Sequence, residues 1–325
     1  MNGDKYFIKE NIINLKQNHL TTHRKVYPHE KKFKKLVEVA QEKGWFNAIV
    51  ELYHEDTNII NYSVNKRRAD FIYLLPTDKK SIIFDFGCGL GLTTHMLAAN
   101  AYKTYAMDNL FEQVQFSSLR VNQEGYRNVH FVCGGNDGRL PFRNNFFDII
   151  ILNFVFQWAA SNYNNVNPLS LQKRLLFEIK RVLKKEGTLY LGVPNRFALK
   201  YILGEPDEHS FGSKYTTVLP YFLSDIIVKK KLGHHYTARC YSYFEYSSML
   251  KKTGFRNVKF YAIIPDHRNP ERIIPFELLK KNSKYSIALF KKGLAGNCLT
   301  SCFFKYLPVT ISKYFVYHYG IICKL

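Results

Sequence analysis

The residues best placed to do chemistry lie in one run, Ile82-Ile83-Phe84-Asp85-Phe86-Gly87-Cys88-Gly89-Leu90-Gly91. A short apolar stretch, read as a buried strand, ends in an acid and three alternating glycines, and a helical pattern follows over 92–100. Glycines at such a junction let the backbone turn sharply and let a ligand lie against it with no side chain between. Seventeen residues beyond Gly91, the run Thr104-Tyr105-Ala106-Met107 ends in Asp108. An acid at the tip of the second strand is placed to accept hydrogen bonds from ribose hydroxyls. The spacing describes a pocket for an adenosine-containing cofactor at the carboxyl edge of a parallel sheet. The absence of Gly-Lys-Ser/Thr after the loop excludes a P-loop, and GxGxG differs from the GxGxxG of dinucleotide binders.

Elements must hold these residues in place. Strands are expected at 82–86, 103–107, 129–133, 148–153 and 188–193, alternating with helices at 92–100, 111–124 and 170–184. Alternation of this kind implies an α/β fold with a parallel sheet, helices on both faces and right-handed crossovers. Ahead of the core, 1–27 is polar, a helical pattern runs over 29–53, and 63–73 reads as a helix leading to the first strand. Beyond it, 247–253 reads as a helix, 257–264 as a sixth strand, and 319–324 as a seventh lying antiparallel beside it. The expected organisation is an N-terminal helical extension (1–67), a Rossmann-like core (68–195), and a substrate region with the last strands (196–325).

From this point the chain resembles the class I S-adenosylmethionine (SAM)-dependent methyltransferases. Leu140-Pro141-Phe142 followed by Phe146-Phe147-Asp148-Ile149-Ile150-Ile151-Leu152-Asn153 is similar to that family's approach to its fourth strand. The segment 177–191, with Gly187 at its turn, is similar to its next helix and fifth strand. The resemblance implies a mostly parallel seven-stranded sheet with an elaborated C-terminal region, and SAM as cofactor. By it, Asp85, Gly87, Cys88, Gly89 and Gly91 line the methionine half of SAM. Asp108 holds the ribose, Asn109 flanks the adenine, and Asn153 ends the fourth strand beside the cofactor. The family's Gly-Asp-Ala is replaced here by Asn136 and Asp137, either of which can meet the adenine edge.

Methyl transfer to an un-ionised oxygen gains from a general base. His209, amid Glu205, Asp207 and Glu208, is the candidate. Asn195, Arg196 and Trp158 are expected to touch substrate, Arg196 through a forked contact to a carboxylate or phosphate. No metal is required, and Cys298 and Cys302 have no second Cys/His pair near them. The segment 195–209, with Pro265-Asp266-His267-Arg268, is similar to methyltransferases encoded with bacterial cell-surface glycan and lipopolysaccharide enzymes.

Charge bears on the acceptor. The formal net charge is +21, and 196–325 carries 21 Lys/Arg against 8 Asp/Glu. Such a surface favours an anionic partner: a nucleotide- or lipid-linked glycan, nucleic acid, or an acidic membrane face. O-methylation of a sugar or related anionic small molecule is the leading reading. The rivals are an RNA methyltransferase and a silent SAM-binding scaffold at a membrane or partner. Six cysteines without paired spacing suit a reducing, cytoplasmic setting, and neither a signal-peptide core nor a spanning segment is visible. Removing the Asp108 carboxylate loses charge-assisted bonds worth about 1.5–3 kcal/mol. Titration calorimetry should therefore show S-adenosylhomocysteine binding Asp108→Ala roughly 10- to 150-fold more weakly than the wild type.

Overall fold

The computed structural model describes residues 6–15, 30–135, 138–160, 166–210, 212–280 and 298–325. The chain divides into two compact units, one comprising 1–153, 177–189 and Leu325, the other 154–176 and 190–324.

The first unit carries β1 (Tyr6–Lys9), β2 (Ile12–Leu15), β3 (Ile82–Phe86), β4 (Lys103–Asp108), β5 (Val129–Cys133), β6 (Phe147–Asn153) and the start of β7 (Leu183–Pro194). Their order is β1-β2-β5-β4-β3-β6-β7. β2 with β5, β5 with β4, β4 with β3 and β3 with β6 are all parallel, Phe84 facing Tyr105 on one side and Ile150 on the other. Strands buried on both faces need continuous apolar runs rather than alternation. Ile149, Ile150, Ile151 and Leu152 accordingly are all buried. Phe84 stacks on Phe147 at 4.9 Å and meets Phe142 edge-on at 5.0 Å, filling the space beside the sheet. Asp148 pins two strand starts at once, accepting from the Ile82 amide at 2.9 Å and pairing with Lys184 at 2.7 Å.

Helices α1 (Glu30–Lys43), α2 (Trp45–Tyr53), α3 (Thr57–Val64), α4 (Leu92–Ala98) and α5 (Phe111–Gln123) belong to this unit, as does the end of α6 (Pro168–Val182). The helix expected over 29–53 is broken at Gly44, whose φ of 88° no helix accepts. That over 63–73 is two pieces, α3 and a 3-10 turn at Lys66–Leu74, separated by the extended Asn65. The largest departure lies in the polar N-terminus. Its described part is a β-hairpin whose inner strand pairs with β5, Ile12 opposite Phe131, with Ile12 buried. Strands of four residues gave too little periodicity to read.

The second unit holds the end of β7, a short hairpin of β8 (Pro206–Asp207) and β9 (Ser213–Lys214), then β10 (Arg256–Ile264), β11 (Arg272–Pro275) and β12 (His318–Lys324). β10 is antiparallel to both β12 and β11, as the expected return of the last strand requires. Its helices are α7 (Leu199–Ile202), α8 (Tyr221–Leu232), α9 (Tyr243–Thr253), α10 (Cys298–Tyr306) and α11 (Val309–Ser312). α9 begins four residues earlier than expected because Ser242 and Glu245 form a reciprocal capping box. Among the described residues, no helix is long and apolar enough to cross a membrane.

Candidate functional site

The glycine loop leaves the carboxyl end of β3 and enters α4. Gly87, Gly89 and Gly91 all have positive φ, at 80°, 50° and 77°. The amides of Gly87 and Cys88 both donate to the Met107 carbonyl, so the loop is tied to the end of the neighbouring strand. Two of the glycines serve different ends. A Cβ on Gly91 would stand 2.4 Å from Ser117 Oγ and 3.0 Å from its Cα, so α4 and α5 meet only because that side chain is missing. A Cβ on Gly89 would meet nothing within 4 Å.

Asp108 ends β4 and shares its carboxylate with the loop. Oδ2 accepts from the Gly89 amide at 3.0 Å, and Oδ1 accepts from Asn109 at 2.7 Å and Leu110 at 3.2 Å. The acid thus fixes the turn it is expected to serve. Asn109 follows it, its carbonyl accepting from the Cys133 thiol at 3.7 Å. Asp85 is buried and accepts from Thr94 Oγ1 at 2.6 Å, joining the strand end to α4. Burial, reinforced by the like charge of Asp108 and opposed by Thr94, pushes its pKa up to about 7. Burial pushes the Cys88 thiol well up, with Asp108 and Asp85 adding to it, so it stays protonated at neutral pH. Asn153 ends β6, the parallel neighbour of β3.

Asp85, Gly87, Cys88, Gly89, Gly91, Asp108, Asn109 and Asn153 therefore all sit at the carboxyl ends of β3, β4 and β6. Asn136 and Asp137 lie outside the described residues. Thr94, Ser117 and Arg120 went unread in the sequence. Arg120, fully buried, donates to the carbonyl of Ser63 at 2.9 Å and to that of Leu90, inside the loop, at 3.3 Å. Its guanidinium lies 4.0 Å over the Trp45 ring. Burial lowers its pKa to about 10, so it remains a cation. An arginine in a helix carries no mark of such a duty, so no sequence signal could have found it. The Leu140-Pro141-Phe142 segment is held by a fork: Arg181 donates to the carbonyls of Leu140 and Phe142 while pairing with Glu178 at 2.7 Å.

The expected substrate residues lie in the second unit. Asn195 is buried, donates to the carbonyls of Tyr314 and Val316 at 2.8 Å each, and accepts from the Phe197 amide. Arg196 pairs with Glu245 at 3.1 Å and donates to the carbonyls of Val218 and Leu219, the internal ion pair rather than a free fork. Trp158 packs on Val228, Tyr236 and Ala238. All three side chains thus make contacts that hold the unit together. His209 lies in the turn Glu208–Ser210, and its side chain falls outside those described. Next to that turn is a cleft of about 440 Å³ lined by Lys200, Glu205, Asp207, Glu208, Asp266, Arg268 and Tyr317, among others. Lys200 pairs with Glu208 at 3.0 Å, and Arg268 pairs with Glu208 as well.

Asp266, on the cleft wall, is followed by His267, and with His318 they form a group whose ligand atoms all lie within 4.8 Å of one another. Their types suit a divalent metal, but within the protein they also bond to each other. His267 Nδ1 is 3.1 Å from Asp266 Oδ1, the His267 amide donates to His318 Nδ1 at 3.4 Å, and the Phe154 ring stacks on His267 at 3.9 Å. Burial alone would raise the Asp266 carboxyl, but His267 beside it and the Arg268 amide that donates to it hold it well below the usual carboxylate range. Burial drives His318 well down, so it is a neutral imidazole.

Comparison with known proteins finds likeness over the segment that carries the glycine loop. The family model described as "Methyltransferase domain" matches residues 84–191. A demethylmenaquinone methyltransferase of Lactiplantibacillus plantarum is 23% identical over 234 residues, 67% of this chain and 89% of that one. An uncharacterized RNA methyltransferase of Clostridium acetobutylicum is 29% identical over 62 residues, 19% of this chain and only 14% of that protein's length. Among solved structures, a SAM-dependent methyltransferase of Thermotoga maritima is 16% identical with a TM-score of 0.46, covering 90% of this chain and 99% of that one. The fold is the Rossmann-like class I methyltransferase fold. Residues 84–191 are a methyltransferase domain, the activity is SAM-dependent methyl transfer, and SAM is the cofactor.

Two outcomes follow for the cradle. Gly91→Ala should lower stability by about 1–3 kcal/mol through the clash with Ser117 and the left-handed backbone, read as a shifted denaturant midpoint. Gly89→Ala should cost about 1–2 kcal/mol for the backbone alone, yet weaken S-adenosylhomocysteine more than Gly91→Ala does. The second outcome concerns pH. A folded-state pKa raised from 3.8 to about 7 means the native protein holds the extra proton between those values. Asp85 then favours the fold at low pH, and that contribution fades as pH rises through 7. A bound sulfonium and ammonium favour the ionised acid, so SAM binding at pH 6 should release a proton. Affinity should fall by up to tenfold per unit below pH 7. Calorimetry in buffers of different ionisation enthalpy counts that proton, and Asp85→Asn should abolish it.

Proposed function

We propose that the chain methylates an oxygen of a polyhydroxylated small molecule bearing an anionic group, a sugar or glycan intermediate being the best fit. The observation that carries this reading is the cleft of the second unit. Its about 440 Å³ is within the range of small-molecule sites. Its wall mixes the carboxylates of Glu205, Glu208 and Asp266 with Lys200 and Arg268, both paired with Glu208, and Tyr317, polar groups of the kind that hold a polyhydroxylated molecule. The excess of basic residues in 196–325 supports an anionic acceptor.

When bound, SAM supplies the methyl as an electrophile on its sulfonium. The chain's own residues then have two tasks: Asp85, the glycine loop, Asp108, Asn109 and Asn153 hold the donor, and a base takes the acceptor proton. His209 is the base nominated by its acidic neighbours. His267 is a second nominee on geometry, because its Nδ1 lies 3.1 Å from the Asp266 carboxylate, whose charge favours the proton on that nitrogen and leaves Nε2 as the acceptor. Asn195 and Arg196 are proposed to act on the acceptor by shaping the backbone that follows β7, and Trp158 by supporting α8.

RNA is the rival acceptor, favoured by the net charge of +21 and by the short match to an RNA methyltransferase. Incubation with labelled SAM and panels of nucleotide sugars, lipid-linked glycans and total RNA separates the two, with mass spectrometry placing the methyl. Label in RNA alone, or on nitrogen, overturns the sugar reading. Removing the true base should cost about 100- to 10,000-fold in kcat. His209→Ala and His267→Ala, assayed separately, should divide cleanly, the base variant keeping wild-type S-adenosylhomocysteine affinity and losing the acidic limb of the pH–rate profile.

A further inference from the structure

Helix α8 carries apolar residues on two faces. Its buried positions are Ser224 and Val228, with Tyr221, Asp225 and Leu232 partly covered. Ser224 Oγ donates to the Thr216 carbonyl at 2.6 Å, Asp225 accepts from the Tyr236 amide at 2.7 Å and lies 2.8 Å from His235 Nδ1, and Val228 packs on Tyr236 and Ala238. The opposite side carries four further large apolar groups. Phe222 is 63% exposed, Ile226 60%, Leu223 38% and Ile227 38%. Residues four apart share a helix face, so Phe222, Ile226 and Lys230 form one outward row and Leu223, Ile227 and Lys231 the next. Lys229 flanks them, and all three lysines are exposed. A surface helix of a globular protein turns its apolar stripe to the core. Here Tyr221, Val228 and Leu232, together with the polar bonds, anchor the helix, and a second apolar stripe faces out.

The last turn gives the occupant. Basic residues there also complement the helix dipole, but Lys230 and Lys231 continue the very rows that Phe222 and Leu223 begin. A plain apolar partner would leave those charges stranded, whereas a lipid surface takes both. Apolar side chains enter the boundary of the acyl region, and lysines spread their stems along it and reach anionic headgroups. The surrounding charge is of the right sign, since 196–325 is strongly basic. Tyr215, 48% exposed, stands beside the start of the helix, its carbonyl accepting from Val218 and Leu219.

We propose that the outward face of α8 docks the protein reversibly on an anionic lipid surface. This stands independently of which acceptor is methylated. The test is co-sedimentation of the full chain with phosphatidylcholine vesicles, with and without phosphatidylglycerol. Two helix-preserving variants complete it, Phe222→Gln/Ile226→Gln and Lys229→Gln/Lys230→Gln/Lys231→Gln. The wild type should partition onto anionic vesicles and scarcely onto neutral ones, with binding weakened by salt. At about fivefold per lysine, the triple variant should lose roughly 100-fold, and the apolar double variant should lose at least about tenfold at any salt. Both should keep wild-type melting and S-adenosylhomocysteine binding, because every changed residue is exposed. Failure of the wild type to bind anionic vesicles overturns the proposal, as does undiminished binding by either variant. Self-association through this face, seen by ultracentrifugation without lipid and lost in the double variant, assigns it to a second copy instead.

Discussion

The Asp108 carboxylate accepts three backbone amides, from Gly89, Asn109 and Leu110, and the form of the cofactor cradle follows from that. A glycine loop with positive φ at three positions is the part of a fold with most freedom to wander. Here the freedom is removed from several sides. Asp108 holds the middle of the loop, the Met107 carbonyl holds its start, and Thr94 ties the strand end to the helix through Asp85. Ser117 closes over the space where Gly91 lacks a side chain, and Arg120 holds the Leu90 carbonyl from beneath. Ordering is thus met by folding rather than by ligand, which is how a preorganised site raises affinity. The same closeness sets Asp85 and Asp108 against each other, and that repulsion adds to the rise of the Asp85 pKa.

The parallel core could be read from the chain because each of its signals is local. β3, β4 and β6 announce themselves by uninterrupted apolar residues, and the glycines and Asp108 by their spacing. What escaped depends on residues far apart in the chain. Arg120 reaches Ser63 and Leu90, Asp266 and His267 meet His318, and Asn195 is claimed by Tyr314 and Val316. Arg196 shows the difficulty from the other side. Its position after β7 reads as a substrate contact, yet Glu245 and two carbonyls engage its guanidinium. Sequence gives the type of a side chain, and only the fold gives its partner. The N-terminal hairpin escaped for a different reason: four-residue strands hold too few periods to stand out from a polar background.

The second unit is organised around polar bonds as much as around apolar packing. Buried Asp207 accepts from Thr216 at 3.0 Å and from the Tyr236 hydroxyl at 2.9 Å, Ser210 bonds Thr216, and Tyr221 donates to the Tyr236 carbonyl. A network of this kind specifies one arrangement, since each group left without its partner would be costly. It also adds to the seat of α8, whose Tyr221 and Val228 pack beside these bonds.

The chain contains two tryptophans, and the two units hold one each. Trp45 lies beneath the guanidinium that holds the Leu90 carbonyl, while its indole N–H donates to Glu124 at 2.9 Å. Trp158 rests against Val228, the residue that seats α8. The protein therefore carries its own optical reporters. Indole emission from Trp45 senses the cation beside the cofactor loop, and that from Trp158 senses the underside of the exposed helix. With either one replaced by phenylalanine, the other reports on its own unit without a label.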